Sequence, residues 1–168
     1  GPLTAAKVAC EITGASSVNT LSVCLGGTLT AMAMAQEVNQ HTSLIKTATF
    51  INTHTDFELS GALGAFTDEA AVSSMEKRMT KKGYLEASEM ASTFDSLRAN
   101  DLIFQYVASN WLQGEDPVAF DLLAWNADAT RMPARMHTSY LRSCYIENRF
   151  ARGKLRVHDK KLKPAKIE

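Results

Sequence analysis

Apolar positions in the first fifty residues follow two different periods. In residues 3–13, "LTAAKVACEIT", Leu3, Ala5, Val8, Ala9 and Ile12 recur at roughly helical intervals, and Gly14 follows where a helix would stop. The stretch 17–23, "SVNTLSV", is too short for a helix and compactly apolar at Val18, Leu21 and Val23, which predicts a short buried strand. Residues 27–38, "GTLTAMAMAQEV", are rich in alanine and methionine, good helix formers whose small size lets a helix lie close against a sheet. A second strand is predicted at 44–52, "LIKTATFIN". Helix, strand, tight turn, helix, strand is the repeat of a parallel sheet whose crossovers run through helices, so this part reads as α/β.

After Asn52 the alternation gives way to helical segments. "DEAAVSSMEKRMTKKG" carries Ala71, Val72, Met75 and Met79 on one face and Gly83 as a stop. "NDLIFQYVASNWLQG" opens on Asn100 as a cap, carries Ile103, Tyr106, Val107, Asn110 and Trp111 along a stripe, and ends at Gly114. "PARMHTSYLRSCYIEN" starts with Pro133 in a favourable first-turn position and aligns Met136, Tyr140, Leu141, Cys144 and Tyr145. The pattern predicts a core with residues 1–55, a helical cap or lid insertion over 56–150, and a return toward the core sheet over 151–168.

Composition narrows the classes. At 168 residues and 45% apolar content the chain can bury a core. Its 18 lysines and arginines balance 18 aspartates and glutamates, which argues against nucleic acid or an anionic membrane as partner, and only the tail from Arg149 to Lys166 is basic. Cys10, Cys24 and Cys144 are an odd number at wide spacings with no zinc-ligand pattern, which favours a reduced, cytoplasmic setting. No apolar run has membrane-spanning length.

The strongest chemical signal is "SVCLGG", residues 22–27. A strand that turns sharply into a helix crowds the neighbours of its central residue, and small residues two before and two after remove the clash. Ser22 and Gly26 hold those places around Cys24, with Gly27 extending the permissive stretch. A thiol there stands at a helix N-terminus, where unpaired amides and the helix dipole favour a thiolate and a developing oxyanion, and the backbone N–H of Leu25 is the natural donor. The alternative is a small core residue at a strand end, the commonest role of a free cysteine.

Two stretches resemble one family. "VNTLSVCLGGTLTAMAMA" (18–35) is similar to the lipase-like box of polyhydroxyalkanoate synthases, G-x-C-x-G-G after a strand, with cysteine in place of serine. "ASTFDSLRANDLIFQYVASNWLQGEDPVAFDLLAWNADATRMPARMHTSYLRSCYIEN" (91–148) resembles the same family's run through "LRPNDL" and "FDLL-W-N-DATRLP" to "YL---Y--N". Ser22 stands where the family usually has glycine, and Ala99 where it has proline. The resemblance implies an α/β-hydrolase-like parallel sheet with a helical cap, present here in part. It also implies an acyltransferase that polymerises (R)-3-hydroxyacyl groups from coenzyme A thioesters through a covalent cysteine thioester on Cys24, releasing CoA. The implied partners are the acyl-CoA and the growing polyester, with no metal or cofactor, a homodimer in the full-length family, and a cytoplasmic site that extends to the polyester granule surface.

The family keeps cysteine, aspartate and histidine in that order, and no segment here matches its aspartate-bearing or histidine-bearing loops, so the chain is expected to lack both. His137, His158 and Asp159 read better as solvated residues, and His41 and His54 as loop residues flanking the second strand. Asp56, in "HTDFEL", resembles the family's "LLDF" position and is accounted for by capping. Cys10 and Cys144 read as packing, and Trp111 and Trp125 as core side chains rather than the lining of an acyl channel. The rivals are a cysteine thioesterase or depolymerase of the same fold and an inactive binding or scaffold piece. A sheet of two or three strands beside so many helices is also expected to leave its edges and much apolar surface uncovered.

Overall fold

A computed structural model describes residues 1–117 and 119–167; Val118, inside the expected insertion, and Glu168, at the end of the expected return, lie outside the described residues. The chain divides into two compact units, residues 1–60 with 142–168, and residues 61–141.

The first unit opens with helix α1 (Pro2–Thr13), closed by Gly14 at φ 72°, a left-handed conformation that glycine adopts without a Cβ clash. Strand β1 (Val18–Val23) leads through Cys24 into helix α2 (Leu25–Gln40), which returns to strand β2 (Ile45–Ile51). β1 and β2 pair in parallel, Val23 opposite Ile51, as the alternation of elements predicted. The buried Glu37 carboxylate accepts the backbone N–H groups of Leu44 (2.6 Å) and Ile45 (3.3 Å), fixing where the crossover becomes strand.

The expected burial of β1 is inverted. Ser22 is its buried residue, whereas Leu21 is 69% exposed and Val23 is also exposed. Successive side chains alternate across a strand, and the face carrying Ser22 is the one that meets α2. Leu21, Val23, Phe50 and Ile51 remain open, in line with the expectation of an uncovered sheet.

The small-residue face of α2 meets the last part of the chain. Ala31 and Ala35 pack with the fully buried Phe150 and Leu162, flanked by Met32, Leu155, Val157 and Ile167. Residues 153–168 form not a long strand but a hairpin, β5 (Arg156–Val157) against β6 (Lys160–Lys161), turning at His158 and Asp159 with φ 46° and 61°. Asn39 on α2 donates to the Lys161 carbonyl at 3.0 Å.

Asn148 joins the two segments of this unit. Buried at φ 49°, it accepts the Phe57 N–H (3.1 Å) through its amide oxygen and donates to the Asp56 carboxylate (2.7 Å). Asp56 also accepts the Glu58 N–H at 3.0 Å, so it closes a local turn rather than capping a helix. The backbone hydrogen bond from Glu58, then that from Asn148, hold its carboxyl below the usual carboxylate range.

The second unit contains α3 (Glu69–Lys82), β3 (Tyr84–Leu85), α4 (Ala87–Leu97), α5 (Asp121–Ala127), β4 (Met132–Pro133) and α6 (Ala134–Tyr140). Asp68 caps α3 by accepting the Ala71 N–H at 2.7 Å, and Gly83 ends it at φ 80°. β3 and β4 pair antiparallel, and Ala134 N–H donates to Gly83 O at 3.0 Å, which sets the rotation of α6. The segment expected as one helix from Asn100 is helical but π-wound at Asn100–Phe104 and Val107–Leu112. α6 runs on into a π-helical Leu141–Ile146.

Two readings of side chains are corrected here. His137, expected at the surface, is 6% exposed, because α6 buries Thr138 and Leu141 beside it and turns Met136 outward. The helical period was right and its phase was not. Trp111 and Trp125, expected in the core, are 83% and 74% exposed.

Two outcomes are expected. Replacing Asn148 with Gly removes both side-chain bonds and should cost about 1–3 kcal/mol in urea unfolding; Asn148→Ala should cost roughly 1 kcal/mol more, because alanine is strained at positive φ. Equal losses would contradict this. Burial pushes the His137 pKa down, and Nδ1 has no hydrogen-bond partner. The unfolded chain therefore binds the proton more readily, and stability should be full above the unfolded value of about 6.5 and fall as the pH drops below it. His137→Phe should flatten that part of the pH–stability profile.

Candidate active site

Cys24 occupies the single residue between β1 and α2. Its backbone stands at φ 50°, ψ −125°, a region that costs a residue with a side chain on the order of 1–3 kcal/mol. A chain that leaves a strand and enters a helix within one residue has no relaxed alternative, and the cysteine is left exposed at the apex.

Three threonines and a serine hold this turn. Cys24 N–H donates to Ile51 O at 2.9 Å, which carries the β1–β2 ladder one residue past the strand end. Thr53 Oγ1 lies 3.2 Å from Cys24 O and 3.3 Å from Ile51 O. Thr28 Oγ1 donates to His54 O at 2.6 Å. On the opposite side Thr30 Oγ1 donates to Gly26 O at 3.0 Å; since a hydroxyl has one proton, the 2.8 Å contact between Ser22 and Thr30 is a bond donated by Ser22. The serine thus fits the turn and ties β1 to the first turns of α2.

The two glycines differ. A Cβ on Gly26 would have no heavy atom within 4 Å, whereas one on Gly27 would collide with Thr53, 2.6 Å from Cγ2 and 2.8 Å from Cβ and closer still to Oγ1. The crowding expected two residues after the cysteine falls three residues after it. Leu25 is the first residue of α2, and its N–H therefore has no acceptor within the helix.

The other candidates are dispersed. His41 caps the far end of α2, about 24 Å from Cys24 at 1.5 Å per residue over a 16-residue helix. His54 is an exposed residue after β2 whose ring meets Phe57 at 5.8 Å between centroids. His158 and Asp159 form the exposed hairpin turn, as expected of solvated residues. Cys10 is half-buried on α1, and Cys144 is buried, its thiol pushed up by burial to about 11. Among the described residues no cluster of His, Cys, Asp and Glu is arranged to hold a metal ion, and no helix is long and apolar enough to cross a membrane. Sequence reasoning missed Thr53, Thr28 and Asn148, whose partners lie 26 to 92 residues away.

No family model matches the chain. It is 45% identical over 156 residues to a poly(3-hydroxyalkanoate) polymerase of Methylorubrum extorquens, covering 93% of this chain and 26% of that protein. It is 45% identical over 145 residues to a poly(3-hydroxyalkanoate) polymerase subunit of Rhizobium meliloti, 86% of this chain and 24% of that one. Against the corresponding subunit of Cupriavidus necator the values are 38% over 159 residues, 91% and 27%. The chain is thus a relative of these polymerases and spans about a quarter of their length.

Thiol labelling tests this geometry. With a neutral alkylating reagent near neutral pH, Cys24 should react first and Cys10 more slowly. Cys144, with far less thiolate at that pH, should react at least roughly a hundredfold more slowly until the chain is unfolded. Equal rates at the three positions would contradict the arrangement.

Proposed function

We propose that the chain is the nucleophile-bearing part of a poly(3-hydroxyalkanoate) synthase, an acyltransferase that joins (R)-3-hydroxyacyl groups from CoA thioesters into polyester. The observation that supports this most is an exposed Cys24 at positive φ between a strand and a helix, within a stretch 38–45% identical to named polymerases. On this reading residues 1–55 belong to an α/β-hydrolase-like core, residues 56–150 to a helical cap, and residues 151–168 to the return toward the core sheet.

The Cys24 thiolate attacks the thioester carbonyl carbon. A bond forms from Sγ to that carbon, the negative charge moves to the carbonyl oxygen, and the Leu25 N–H stabilises it. Collapse breaks the bond to the CoA sulfur, and CoA leaves as its thiol after taking up a proton. One thioester has replaced another at little free-energy cost, so the acyl group stays activated for attack by the 3-hydroxyl of the next unit. A serine in the same place would form an oxyester and lose that drive. A base to deprotonate the thiol or hydroxyl, and an acid to orient it, are contributed from outside these 168 residues. The chemistry calls for no metal or resident cofactor, since CoA enters as part of the substrate. The cap excludes water, which would hydrolyse the acyl-enzyme. The acting form is a cytoplasmic homodimer that works at the surface of the polyester granule.

The test uses the full-length polypeptide carrying this segment, supplied with (R)-3-hydroxybutyryl-CoA. CoA release should be accompanied by polymer, and Cys24→Ala should abolish both, a loss of at least about a thousandfold. Free hydroxy acid equal to the CoA released would favour a hydrolase, and full activity in Cys24→Ala would overturn the proposal.

A further inference from the structure

We propose that Thr53 is a positioning residue that aims the Leu25 amide, and that Gly27 lacks a side chain so that the Thr53 hydroxyl can reach the turn. The inference rests on the reading of Cys24 as nucleophile and adds a residue to that site.

The argument starts from one peptide group. The carbonyl of Cys24 and the N–H of Leu25 belong to the same planar trans unit, so fixing one fixes the direction of the other. The carbonyl is held from two sides. From α2 it accepts Gly27 N–H at 3.0 Å and Thr28 N–H at 3.4 Å. From the exit of β2 it faces Thr53 Oγ1 at 3.2 Å, the one side-chain hydroxyl recorded on it. The helix bonds restrain the carbonyl along the axis of α2, and the threonine restrains rotation of the plane about that axis. The opposite edge of the plane carries the Leu25 N–H, which has no acceptor within the helix.

Thr53 reaches this position because of the glycine beside it. Its side chain fills the volume that a Cβ on residue 27 would need, and Thr53 Cβ itself, the stiff branch point, would lie only 2.8 Å from that atom. No such demand exists at Gly26. Gly27 and Thr53, 26 positions apart in the chain, therefore form one device. Its location at the end of β2 is secured independently by the bond from Thr28 to His54 O.

The test compares Thr53→Ser, Thr53→Ala and Thr53→Val in the full-length polypeptide carrying this segment. Serine and alanine both lose the methyl group and differ in the hydroxyl alone; valine keeps the bulk and lacks the hydroxyl. Serine should retain most of the activity, whereas alanine and valine should lose about tenfold in kcat with KM changed less than about twofold, the signature of a lost transition-state interaction. In the same variants alkylation of Cys24 by a neutral reagent should change less than about twofold, because the amide and not the thiol is re-aimed. Alanine as active as serine, serine and alanine equally impaired, a loss carried by KM, or a parallel fall in alkylation would each overturn the inference. Valine, which preserves packing, decides the matter should alanine unfold below the assay temperature. Failure of the parent reading shows separately, as polymer formation by Cys24→Ala.

Discussion

The structure turns on a cysteine whose backbone cannot relax. Cys24 has one residue in which to convert a strand into a helix, and the conformation that does this, φ 50° and ψ −125°, is unfavourable for any residue with a side chain. It persists because the surroundings over-determine it. The parallel register delivers Ile51 opposite Val23, so the next amide, that of Cys24, finds Ile51 O; Ser22 and Thr30 clamp one side of the turn and Thr53 the other. At the far end of α2, Glu37 fixes the start of β2, and with it the place where β2 must stop. The remainder of this unit, Phe150 and Leu162 against Ala31 and Ala35, holds the helix that the turn begins.

Strain at that point has a chemical use. A side chain at the apex of a forced turn is presented to solvent instead of being folded into a core, and the first amides of the helix stand next to it without intrahelical partners. Cys144 illustrates the contrast: the same thiol on a regular helical stretch is buried, and burial raises its pKa to about 11. Position in the fold, not residue type, separates a sulfur able to react from one that packs.

Much of the first unit was legible because short-range rules decide it. Gly14, the alanine-rich run of α2 and the two apolar strands follow from period and from residue type, and Cys24 stands out as the residue between a strand and a helix. What could not be read depends on contacts distant in sequence. The pairing of Thr53 with Gly27, and of Asn148 with Asp56, involves loop residues of ordinary composition. The phase of α6 was misjudged because Met136 and Tyr140 outweigh His137 on an apolar scale, while the bond from Ala134 to Gly83 sets which face turns inward. Leu21 and Val23 looked buried because they are apolar; the face they share has no covering helix among the described residues.

The central claim is that Cys24 carries the acyl group between CoA and polymer. The most direct measurement is peptide mapping by mass spectrometry of the full-length polypeptide carrying this segment, quenched in acid soon after mixing with limiting (R)-3-hydroxybutyryl-CoA. The account predicts a hydroxyacyl adduct on the peptide containing Cys24, removed by neutral hydroxylamine as thioesters are, and none on Cys10 or Cys144. An adduct on another residue, or polymer formed while Cys24 remains unmodified throughout, would contradict it.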